Sequence, residues 1–179
     1  TMTNIPSEDR RLLERLARHA PRGRSVTALA REFGVGPARL RRIVGEAGAG
    51  SPGALLDAER AASARRLLAR GDADPDTVLR LTAARGRDVL DAGAVQAQAD
   101  GPVRVFLPAR QPFAHEALAN FFRMRRMPAV EHFDDAEEPV YGRAWRSRDG
   151  AGEARFHLLP DGVVLQLEGR GTLPVLDLV

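Results

Sequence analysis

The sequence predicts a mixed fold in two domains: a helical N-terminal domain built round a helix-turn-helix, and a C-terminal α+β domain with an antiparallel sheet. Three observations predict it. Apolar residues recur at three- and four-residue spacing through the first seventy positions, and at two-residue spacing from Val103 onward. Charge divides in the same way: residues 1–70 hold fourteen arginines against seven acids, net +7, and residues 71–179 hold thirteen against seventeen, net −4. The length, 179 residues, suits one large domain or two small ones. A basic head on an acidic body points to a polyanion as partner of the head only.

Composition narrows the chemistry. There is no cysteine, which excludes disulfides, thiolate zinc sites and a cysteine nucleophile. All 27 basic residues are arginine, a side chain suited to bidentate contacts with phosphate and guanine. No apolar run approaches the roughly 18 residues that cross a bilayer, and no signal-peptide pattern opens the chain. A cytoplasmic protein without a membrane partner is expected.

Ser7–His19 reads as a helix, with Ser7 as its cap, Glu8 and Asp9 at its positive end, and Leu12, Leu13 and Leu16 on one face. "APRGR" (20–24) interrupts it. Ser25 is the expected N-cap of a second helix running to Phe33, with Val26, Leu29, Ala30 and Phe33 inward. Gly34 supplies the turn, where a positive φ costs least. A third helix starts at Pro37, whose missing N–H does no harm there. Leu40, Ile43 and Val44 share its core side, which leaves Ala38, Arg39, Arg41, Arg42 and Glu46 toward solvent. Small and arginine side chains on a short helix after a glycine turn suit the major groove of double-stranded DNA. Arg39 and Arg42, one turn apart, are placed to reach guanine edges. Arg41, Arg22 and Arg24 suit phosphate, and Ser25 is counted with them among the expected DNA-binding residues.

"SPGALLDAERAASARRLLARG" (51–71) reads as a long fourth helix. From "ALAREFGVGPARLRRIV" through it, the chain resembles the first helix-turn-helix of the AraC/XylS regulators and the Ada-type alkylation-response proteins. Ser51, Pro52, Arg60, Ala64, Leu67 and Leu68 fall where that family repeats Ser-Pro, arginine, alanine and Leu-Leu. The resemblance covers residues 8–70 and implies a transcription regulator. Its second helix-turn-helix is not matched. Residues 71–100 lack aromatics and carry Asp72, Asp74, Asp76, Asp88 and Asp91, which repel phosphate. Val78, Leu79, Leu81, Val89 and Leu90 suit one or two amphipathic helices, a degenerate head or helical linker. One reading head binds weakly, so a homodimer or a helper domain is expected.

"GPVRVFLP" (101–108) alternates as a strand. "QPFAHEALANFFRMRRMPAVE" reads as a helix burying Leu118, Phe121, Phe122 and Met124. Strands follow in "VYGRAWRS", "EARFHLLP" and "GVVLQLE", and "TLPVLDLV" opens a closing helix. With its Pro112-Phe113, Val130-Glu131 and Tyr141–Arg143, this run is similar to the N-terminal domain of AlkA-type 3-methyladenine DNA glycosylases. That resemblance covers 101–179 and implies a fold like half of the TATA-binding protein. His115 stands where that family commonly has tryptophan. The glycosylase's catalytic helix-hairpin-helix domain is not matched, nor are Ada's methyl-acceptor cysteines, so the resemblance assigns no catalytic residue.

Other constellations carry less. "EHFDDAEE" (131–138) reads as an acidic loop between strands rather than a cation site. His115, His132 and His157 read as separate surface or core residues, and Tyr141 and Trp145 as core. No cofactor or metal is expected. The sequence therefore points to a non-catalytic DNA-binding protein, a regulator or accessory factor related to alkylation repair. Two alternatives stand beside it: a fragment of an Ada/AlkA-type glycosylase, and a C-terminal domain turned to binding or converting a small-molecule ligand.

Overall fold

Helix α1 (Ser7–His19) starts where acids meet its positive end, Glu8 and Asp9, and stops with Arg18 and His19 in its last turn. Its cap differs from the expected one. The Arg10 N–H bonds to the Pro6 carbonyl, so Pro6 is the cap and Ser7 is already helical, with no capping bond from a side chain. A 3₁₀ turn (Ala20–Arg22) and Gly23 at φ 67° redirect the chain. In α2 (Val26–Glu32) the Ser25 hydroxyl accepts from the Ala28 N–H at 3.2 Å. Gly34 takes φ 65° and Val35 N–H returns to the Ala30 carbonyl, closing the turn before α3 (Pro37–Glu46). Ser51 caps α4 (Pro52–Ala69) through Ala54 N–H at 3.1 Å. The computed structural model describes residues 6–70, 74–86, 101–135, 137–146 and 150–170.

The core of the helical unit joins Leu12, Leu16, Leu29, Leu40, Ile43, Val44 and Leu56. Leu56 belongs to the front of α4. The back of the same helix, Ala64 and Leu67, is buried in a different core with Val103, Val105, Ala154, Leu165 and Leu167 of the sheet. Val78 of α5 (Pro75–Thr82) completes it. So α4 is a shared wall: one helix closes the helical core with its first turns and the sheet core with its last. Leu79 and Leu81 are half-buried; Val89, Leu90 and "TLPVLDLV" lie outside the described residues.

Among the described residues five antiparallel strands follow, β1 (Val103–Pro108), β2 (Glu131–Asp134), β3 (Val140–Arg146), β4 (Ala151–Leu159) and β5 (Gly162–Arg170). Their order is β1-β5-β4-β3-β2. Register pairs Val103 with Leu167 and Val105 with Leu165, so these side chains share a face with Ala154 and Phe156. Arg104, Gln166, Arg155 and His157 lie on the opposite one.

Two expectations need correcting here. Glu131–Asp134 is an edge strand paired with β3, not a loop. Its charges hide a period of two, in which Glu131 and Phe133 are partly buried and His132 and Asp134 exposed. In α6 (His115–Arg125), only Ala119 is buried, while Phe121 is 46% and Met124 79% exposed. The reason is angular. Leu118, Ala119 and Phe122 share one side, where Phe122 stacks on Tyr141 at 4.1 Å, and Phe121 and Met124 fall outside that stripe.

Candidate nucleic-acid interface

The outward side of α3 is set by its inward side. Leu40, Ile43 and Val44 are fully buried, which fixes the helix's rotation and leaves Ala38, Arg39, Arg41 and Arg42 exposed. These four sequence-selected residues therefore lie on one accessible surface. Their electrostatics are not those of bare cations. Arg39 Nη2 donates to Glu8 at 2.7 Å and to Asp9 at 3.2 Å. Arg42 Nη1 donates to Glu46 at 2.9 Å, and its Nη2 stands 4.0 Å from Asp9. Only Arg41 of the three has no partner among the described residues.

Glu8 and Asp9 are the site residues that the sequence reading missed. Their position at a helix N-terminus already accounted for two acids in the first turn. Nothing local to α1 signals that its first turn lies against α3, because that contact crosses thirty positions.

Arg22, expected to meet phosphate, is turned into the protein. Its side chain is only 2% exposed. It donates to Glu32 at 2.6 Å, to both Asp161 oxygens at 2.9 Å and to His19 Nδ1 at 2.7 Å. A guanidinium desolvated to this degree and held by two carboxylates is costly to withdraw from them. Arg24 is more open, but it too donates to Asp161, at 2.7 Å. Both belong to the junction between the helical unit and the β4–β5 turn. Ser25 is exposed, and its hydroxyl is used as the α2 cap.

A second polar cluster lies at this junction. Arg22 donates to Nδ1 of the fully buried His19, which leaves Nε2–H to donate to Glu138 at 3.0 Å. Arg15 and Arg18 also reach Glu138, at 3.1 and 3.5 Å. Burial pushes the Glu138 pKa up, but the His19 hydrogen bond and Arg15 outweigh this and hold it at about 2. His157 is 3% exposed and neither ring nitrogen has a hydrogen-bond partner among the described residues; burial, with Arg18 adding to it, pushes its pKa down to about 3. Beside this cluster α1 and the β2–β3 connection border an open cleft of about 480 Å³, lined by Arg11, Arg15, Arg18, Glu14, Asp134 and Glu138 among others. Part of the charge asymmetry is thus internal: arginines of the head are matched by acids of the body.

Arg60 also proves to be a fastener. It is 4% exposed and donates to the Ala20 carbonyl at 2.7 Å and the Arg24 carbonyl at 3.1 Å, tying α4 to the turn after α1.

The three histidines of the sheet unit are not brought together. His132 meets Glu153 at 3.3 Å, His157 is in the junction, and His115 lies beside Phe113. No group of three or more His, Asp or Glu able to hold a metal occurs among the described residues. Tyr141 is buried under Phe122 and Trp145 half-buried, both packing in the sheet. No helix among the described residues is long and apolar enough to cross a membrane. No family model, curated protein or solved structure matches the chain.

Proposed function

We propose that this chain is a non-catalytic protein that binds double-stranded DNA through the outward face of α3, as a transcription regulator or accessory factor related to the alkylation response. One observation carries the reading. A short helix behind a glycine turn buries its apolar side completely and leaves Ala38, Arg39, Arg41 and Arg42 on an accessible surface. Ala38 is small enough to let the helix approach a base step. Arg39 and Arg42 read base edges by bidentate bonds, and Arg41 meets phosphate. Ser25, at the start of α2, retains its hydroxyl hydrogen for a phosphate oxygen. A homodimer supplies the second head that a single reader needs for a specific site.

Selection from a random duplex library tests this. The wild-type chain is expected to enrich a defined site, and Arg39→Ala with Arg42→Ala to lose the preference. Wild type and double variant binding all sequences equally would remove the assignment.

A second reading, a fragment of an AlkA-type glycosylase, is favoured by one feature. The resemblance rests on a strand, a helix and a further strand in that order, and β1, α6 and β3 follow one another in that order. The mass of the natural protein tests it: a chain extended by a helix-hairpin-helix domain supports this reading, and one without it rejects it.

A further inference from the structure

Arg39 of α3 is held by two carboxylates from another helix, one of which also stands 4.0 Å from Arg42, itself hydrogen-bonded to Glu46 of α3, and the arrangement has a direction. Asp9 is 5% exposed, third residue of α1, and its position is fixed by the packing of Leu12 and Leu16 behind it. Its Oδ1 accepts from Arg39 at 3.2 Å, and its Oδ2 stands 4.0 Å from Arg42. One buried carboxylate therefore faces both guanidinium groups across a turn of α3. Glu8, 80% exposed, adds a shorter bond to the same Arg39 nitrogen, at 2.7 Å. Both arginines nevertheless stay about half exposed, at 46% and 55%. A guanidinium has five N–H donors, and the Arg39 bonds just named engage Nη2 alone.

Such a carboxylate affects two kinds of DNA contact differently. A phosphate attracts a guanidinium by charge, and a neighbouring carboxylate cancels that attraction. A guanine edge instead offers two acceptors, O6 and N7, to a fork in a fixed plane. For that contact, an arginine already held in one orientation loses less freedom on binding. We propose that Asp9, assisted by Glu8, is a specificity-determining positioning residue: it restrains Arg39 by a hydrogen bond and sets a negative charge beside Arg42, so that indiscriminate phosphate binding is weakened while base reading is preserved. This rests on the DNA-binding reading of α3. It is a penalty against wrong partners rather than an added attraction for the right one.

The full-length chain is measured against a duplex selected from a random library and a scrambled duplex of equal length, across a salt series. Asp9→Asn is expected to tighten scrambled-duplex binding about tenfold and to steepen the log–log salt dependence by about 0.9, one added phosphate contact. Selected-duplex affinity should stay within about threefold, so the preference ratio falls. Glu8→Gln, on an exposed side chain that the fold does not need, should shift ratio and slope in the same direction by less. If the wild type discriminates and both variants keep its ratio and slope, the proposal is overturned while the DNA reading stands. Equal weakening on both duplexes in Asp9→Asn would make the residue merely structural and likewise overturn it. A wild type with no preference removes the reading itself, and this proposal with it.

Discussion

Arg22 and Arg41 belong to the same basic run, yet one is sealed into the protein and the other stands in water. Around Arg22 the helical unit meets the β4–β5 turn, and its guanidinium is shared among Glu32, Asp161 and His19. Arg41 is exposed and has no partner among the described residues, with the buried apolar side of α3 beneath it. The two regions use one residue type for opposite purposes. Where opposing acids are close and water is excluded, arginine fastens; where acids are few or displaceable, it remains available to a ligand. Net charge summed along a sequence does not separate these uses, since both count as +1.

The largest expected effect lies at the junction. Asp161→Ala leaves Arg22 buried with one carboxylate fewer and should cost about 3 kcal/mol in urea unfolding. A cost below about 0.5 kcal/mol, the usual range of a surface change, would place Arg22 with Arg41 and erase the distinction.

Acid should weaken the junction next. His157, with a folded pKa of about 3, takes up its proton near pH 6.5 only when unfolded. Stability from its exclusion is therefore present above pH 6.5 and lost as pH falls toward 3. Glu138, held at about 2, contributes above its ordinary value near 4.5 and loses that contribution as pH falls toward 2. Both act in the same direction, so unfolding free energy should fall progressively from about pH 6.5 downward. His157→Leu, which removes two buried unpartnered nitrogens, should flatten the upper part of that curve and add about 1 kcal/mol at pH 7. An unchanged pH profile in this variant would contradict the neutral, buried histidine.

At the other region effects on stability shrink. Gly34→Ala meets no atom within 4 Å, so its cost is conformational alone, about 1 kcal/mol for a positive φ. A thermal unfolding midpoint at wild-type level would show that the turn does not require the left-handed conformation. Arg41→Ala should change stability by less than about 0.5 kcal/mol and reduce the salt slope of DNA binding by about 0.9. A large loss of stability there would mean that the α3 face is structural after all.

Much of the helical unit is legible from local rules. Ser25 caps the helix that follows it, Gly34 takes the left-handed turn, Pro37 starts α3, and Leu40, Ile43 and Val44 point inward, all as spacing predicts. Arg39, Arg41 and Arg42 are outward for the same reason. The sheet unit is less transparent. Phe121 and Met124 are exposed because α6 meets the sheet along one narrow stripe, and β2 is written in charged residues that suggest a loop.

What depends on neighbours a few positions away is readable along the chain: the starts of α2 and α3, the Gly34 turn, the alternation of β1, and which side of α3 faces out. Which arginines are fastened to distant acids follows from tertiary contacts alone. Ion pairs such as Arg22–Asp161 and Arg39–Asp9 join residues far apart in the chain. Whether a guanidinium is desolvated and held, or hydrated and free, depends on what folds against it, and no local spacing encodes that distance.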